Sequence, residues 1–128
     1  MTKSVVYNTV GPIVVPTINE WQGSSSIKQL NPIFGGAVDV IGLRPAINGQ
    51  VGYDAWVLDD ALATGVAKAY QIQFGDEYFG MAFLPQVGTG MVVLAVDDAG
   101  KTFGLTEEQA HEVQSILGVS EWQVANHG

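Results

Sequence analysis

Met91-Val92-Val93-Leu94-Ala95-Val96, then Asp97-Asp98-Ala99-Gly100, then Leu105-Thr106-Glu107-Glu108-Gln109-Ala110, is the stretch that decides the fold class. The first six residues are apolar without interruption and stop at turn-forming residues, the most continuous strand signal in the chain. The last six open a helix. Thr106 and Gln109 can satisfy each other's backbone donors as a capping box. Ala110, Val113, Ile116 and Leu117 share one helical face. Leu105 precedes the cap and can pack onto Ala110, and Glu107 and Glu108 suit the positive end of the helix dipole. Gly118 stands where a left-handed C-terminal cap is expected. This predicts a helix over 106–117 and a loosely ordered tail over 119–128, with Trp122 packing back.

Working outward, Tyr70, Ile72 and Phe74 alternate with Gln71 and Gln73, the period of a half-buried strand within 66–74. Gly75-Asp76-Glu77 reads as a turn, Tyr78–Leu84 as its hairpin partner and Pro85–Gly90 as a loop. Val38–Leu43 reads as a strand, and Asn48-Gly49 as a turn that can take positive φ. Tyr53–Leu58 reads as a strand with a polar bend at Asp59-Asp60, the alternative being the start of a helix that runs through Leu62 and Ala63 and stops at Gly65. Near the N-terminus, Ser4–Tyr7 and Pro12–Val15 read as short extended segments. Pro12 and Pro16 confine the second to an edge or irregular position. Residues 17–26 read as a loop. Ser25 or Ser26 can cap a short helix over Ile27–Leu30 that Pro32 breaks or restarts, and Gly35-Gly36 separates it from the next strand. Helical and strand periods do not alternate regularly. The expected class is therefore α+β: a small, mostly antiparallel sheet with a C-terminal helix and one short N-terminal helix. With 128 residues, a single domain over 1–128 is expected.

Composition narrows the chemistry. Thirteen Asp plus Glu against five Lys plus Arg give a net charge of −8. That speaks against a broad nucleic-acid-binding face and against docking on an anionic membrane, both of which need clustered cations. With no Cys there is no thiolate metal site and no Cys nucleophile. No apolar run resembles a signal peptide or a membrane span, so a soluble, cytoplasmic protein is expected.

Few side chains have catalytic spacing. Glu108 and His111 sit three apart, but the di-metal bundle motif needs that unit twice. Asp59-Asp60, Asp76-Glu77 and Asp97-Asp98 stand beside turns, where carboxylates ordinarily bond their own backbone. Gly88-Thr89-Gly90 leads into a strand and so fails as a dinucleotide loop. No metal site, no cofactor and no catalytic residue is expected. Arg44 is the one arginine. It can fork onto a carboxylate or phosphate, or make a surface ion pair. Trp56 and Tyr70 read most simply as core aromatics that, if they face outward, can stack on a base. Arg44, Trp56, Asp59 and Tyr70 are therefore the expected ligand-binding set.

Over residues 25–117 the layout resembles a family of uncharacterised small domains carried by phages and conjugative elements. The resemblance rests on Gly35-Gly36-Ala37-Val38-Asp39-Val40, Trp56-Val57-Leu58-Asp59-Asp60, Met91–Asp98 and Leu105–Ala110. It implies a non-enzymatic mobile-element accessory protein acting in counter-defence in the host cell. The first expectation is sequestration of a small nucleotide signal in a pocket, with homo-oligomerisation. The second is an acidic decoy that inhibits a host defence or DNA-binding protein, and the third a phage structural or assembly protein.

Overall fold

The computed structural model describes residues 2–22, 27–59, 61, 65 and 67–122. Along the chain lie β1 (Thr2–Val10), β2 (Ile13–Trp21), α1 (Ile27–Phe34), β3 (Val38–Arg44), β4 (Gly52–Leu58), β5 (Ala67–Phe74), β6 (Glu77–Pro85), β7 (Val87–Val96), β8 (Thr102–Phe103), α2 (Glu107–Ile116) and β9 (Leu117–Glu121). The larger sheet has the order β2-β1-β7-β4-β3, with β8 paired to the end of β7. The smaller sheet has the order β6-β5-β9. The strand pairs are antiparallel, so the architecture is a mostly antiparallel α+β fold.

The uninterrupted apolar run of β7 is explained by its place. Met91, Val92, Val93, Leu94 and Ala95 are each 0% exposed. Alternation sends Met91, Val93 and Ala95 into a core shared with β5, β6, β9 and α2 through Tyr70, Ile72, Leu84, Ala110, Val113 and Leu117. It sends Val92 and Leu94 to the opposite face, where they meet Val6, Trp21, Trp56, Leu30 and Phe34 under α1. A strand covered on both sides has no reason to alternate polar and apolar residues. β5 is covered on one face and alternates, with Tyr70, Ile72 and Phe74 buried and Gln71 and Gln73 exposed.

Thr106 caps α2. Its hydroxyl accepts from the Gln109 N–H at 3.1 Å, while the Gln109 side chain accepts from the Thr106 N–H at 2.9 Å. Leu105 and Ala110 are buried in the same core. The far end of α2 departs from expectation. Gly118 forms no left-handed cap. Leu117 is the C-cap, with extended backbone, and the chain continues at once into β9. The helix is therefore not C-terminal, and Val119–Glu121 belong to a strand paired with β5. The buried hydroxyl of Tyr7 donates to the Leu117 carbonyl at 2.9 Å, supplying a partner for a helix-end acceptor.

Three further expectations are corrected. Residues 17–21 are strand, paired with β1 through to Trp21 opposite Thr2. Their polar residues suit the outermost position in the sheet. Pro85 ends β6 and Val87 already begins β7, so no loop spans Pro85–Gly90. α1 runs through Pro32 to Phe34, and Gly35 closes it at φ 74° with its N–H on the Asn31 carbonyl. The expected caps Ser25 and Ser26 lie outside the described residues. The Asn48-Gly49 turn takes positive φ at both positions (52° and 78°), as expected of that dipeptide.

Two measurements probe this packing. Tyr7→Phe leaves the Leu117 carbonyl buried without this donor, and chemical denaturation should show a loss of about 1–3 kcal/mol. Asp54 is half-buried on β4 opposite Leu94, and burial raises its carboxyl above the ordinary value. The folded state then holds this proton more tightly than the unfolded chain. Stability at this group therefore falls as pH rises from the ordinary carboxylate value through the raised one. Asp54→Asn should raise the melting temperature at pH 7, with the gain shrinking as pH falls below that window.

Candidate functional site

Four edge strands bound the two sheets, and on one side the edges β3 and β6 leave a recess between them. Asp39, Ile41 and Val57 form its floor on the inner face of the larger sheet. Asp39 lies opposite Val57 in the β3–β4 register, which places it on that face. Leu58, Asp59 and Ala61 form one wall, where the chain leaves β4. Met81, Ala82 and Phe83 of β6 form the other, and the volume is about 240 Å³. Met81 is 50% and Phe83 38% exposed, large apolar areas left to solvent at the rim. Asp39 and Asp59 are the only charged side chains among the described residues of the lining. The Asp39 carboxylate accepts from the Val40 N–H at 2.8 Å, and the Asp59 backbone N–H donates to the Ala37 carbonyl at 2.9 Å.

The four expected ligand-binding residues do not come together. Asp59 lies in the recess. Trp56 packs under α1 on the other face of the sheet, 7% exposed, with its indole N–H buried and meeting no acceptor among the described residues. Tyr70 is 0% exposed, and its hydroxyl donates to the Gly11 carbonyl at 2.6 Å. Burial, reinforced by Glu121, raises that phenol's pKa. Asp60 lies outside the described residues.

Arg44 sits at the end of β3 and faces α2. Its guanidinium lies 4.4 Å from the centre of the Tyr53 ring and 3.4 Å from the Glu112 carboxylate, and it also donates to the Val51 carbonyl. Tyr53 donates its hydroxyl to the same Glu112 oxygen at 2.8 Å. Burial first, and then Glu112, push the Tyr53 phenol up to about 12. The trio clamps α2 to the larger sheet, and Nη1 and Nη2 of the arginine each donate to an acceptor of the protein itself.

The other carboxylates are mostly placed at turns or on helix surface. Asp97 accepts from the backbone N–H groups of Ala99 and Lys101, stabilising the turn after β7. His111 lies 4.0 Å from Glu107, one turn back on α2, rather than pairing with Glu108. Among the described residues no three His, Asp or Glu side chains gather as metal ligands. Among the same residues no helix is long and apolar enough to cross a membrane.

Searches against protein-family models, curated proteins and solved structures return no match.

Asp39, Met81 and Phe83 do not stand out in the sequence. One sign is present: Tyr78, Phe79, Met81 and Phe83 put apolar side chains at both alternations of β6. A hairpin strand covered on one side only should show a polar face. Glu112→Gln should bring the Tyr53 phenol down from about 12 while leaving it above the usual tyrosine value, because burial remains. Titration followed on the Tyr53 ring resonances by NMR checks this.

Proposed function

We propose that this protein is a non-enzymatic binding module whose recess takes a cationic side chain from an apolar surface of a partner protein. The observation that carries the reading is the pairing of Asp39 and Asp59 with the exposed Met81 and Phe83 in one cleft. Carboxylates at an apolar rim complement lysine or arginine on a hydrophobic surface. The net charge of −8 favours encounter with basic partners over a longer range.

This favours the acidic-decoy reading over sequestration of a nucleotide signal. Phosphates would meet two carboxylates in the recess, and the one arginine is already held by Glu112, Val51 and the Tyr53 ring. Trp56 and Tyr70 offer no face for stacking a base while buried. The resemblance to phage and conjugative-element domains supports a setting in the host cytoplasm, with a host defence or DNA-binding protein as the target.

Calorimetry should detect binding of a short peptide of alternating lysine and valine, weakening as salt is raised. Asp39→Asn with Asp59→Asn should weaken it roughly tenfold, in line with about 0.2–1 kcal/mol for each exposed ion pair. A panel of cyclic nucleotides should give no heat. Nucleotide binding without peptide binding would overturn the reading.

A further inference from the structure

The sheet edges are not equally protected. Counted from the Gly11-Pro12 turn, Pro16 of β2 falls opposite Tyr7 at a position not hydrogen-bonded to β1. The donor that proline lacks would have pointed outward, so the edge is blunted there. The side chain of Gln114 also donates to the Pro16 carbonyl at 3.1 Å. β9 is five residues long and is held to β5 by Lys68–Glu121 and Gln71–Ser120 contacts. β3 carries the inward-facing Asp39 and a bulge between Gly42 and Arg44. An inward charge and a bulge are both ordinary guards of an edge.

β6 differs. It reads Glu77-Tyr78-Phe79-Gly80-Met81-Ala82-Phe83-Leu84-Pro85, with no lysine and with proline only at its last position. Its bulge lies beside Gly80, so the stretch Met81–Leu84 pairs regularly with β5. The opposite edge of that stretch has no strand partner among the described residues. Met81, Ala82 and Phe83 are also the wall of the recess. The smaller sheet has three strands on its path against five in the larger, so it stops short on this side. One more strand beside β6 would extend it over Ile41 and Val57 of the larger sheet.

We propose that the partner enters as an extended strand added to the edge of β6 that no described strand covers. Its lysine or arginine side chains point inward to Asp39 and Asp59, and its apolar side chains, on the alternate face, lie beside Met81 and Phe83, which pair with Gln71 and Ala69 on the outer face of the smaller sheet. This rests on the binding reading above and specifies the form in which the partner is held. Main-chain hydrogen bonds to an edge supply affinity and alternating side chains supply selectivity in such additions. A second copy of the chain fits less well. Its β6 contributes Glu77 and no cation, so pairing two β6 edges would bring no positive charge to the aspartates.

The test uses the full chain and the lysine–valine peptide in three forms: unmodified, N-methylated on every valine amide, and N-methylated on every lysine amide. In an extended strand these two sets of amides point to opposite edges. One methylated peptide should lose at least tenfold in affinity, while the other binds as the unmodified peptide does. Hydrogen exchange should slow at amides of Met81–Leu84 when the unmodified peptide is bound. Equal binding of all three peptides, or protection elsewhere with none on β6, would overturn strand addition and leave the binding reading standing. No binding of the unmodified peptide would overturn both. A dimer seen by sedimentation that shields β6 and is not dissociated by peptide would assign the edge to a second copy and overturn the proposal.

Discussion

Burial of β7 on both faces is the constraint around which the molecule is built. The strand is hydrogen-bonded to β1 along one side and β4 along the other, and its alternating side chains form parts of two separate apolar layers. Each layer needs a lid. The smaller sheet and α2 cover one, and α1 covers the other. Close approach around the strand leaves little room for error. A Cβ on Gly90 would come within 3.0 Å of the Thr9 side chain and 3.3 Å of the Tyr7 carbonyl, beside the register shift where β1 and β7 slip. Glycine is the residue that admits such an approach.

Much of this is legible in the sequence because it is local. The six-residue apolar run, the alternation from Tyr70 to Phe74, the Asn48-Gly49 turn and the Thr106–Gln109 box each carry their reason within a few neighbours. What escapes is non-local. Thr17-Ile18-Asn19-Glu20-Trp21 looks like loop until β1 lies beside it, since an outermost strand facing water can be polar. Leu117–Glu121 looks like a fraying tail until β5 pairs with it. Pro32 looks like a helix stop, yet packing of Leu30 and Phe34 on Trp21 and Trp56 sustains a short helix through it. Tertiary burial outweighs local propensity in each case.

The recess shows the same division. Asp59 stands out as an acidic residue at a strand end and does line the cleft. Asp39 sits in a strand that reads as mostly apolar, and Met81 and Phe83 in one that reads as hairpin aromatics. No spacing rule links 39, 59, 81 and 83, because two different sheets bring them together. Arg44 stands out for its rarity and is instead part of a clamp with Tyr53 and Glu112. A single arginine in an acidic chain has many suitors, so rarity does not mark a ligand site.

The pairing of Val5 with Val93 joins residues 88 positions apart. Such long loops must close before their contacts repay the lost entropy, which slows folding. On a ribosome the first hairpin emerges long before the strand that flanks it. Until then Val5, Val6 and Tyr7 have no inner neighbour, and the nascent chain carries an open, sticky sheet margin. Synthesis speed and chaperone access over that interval therefore bear on how much of the chain reaches the native sheet.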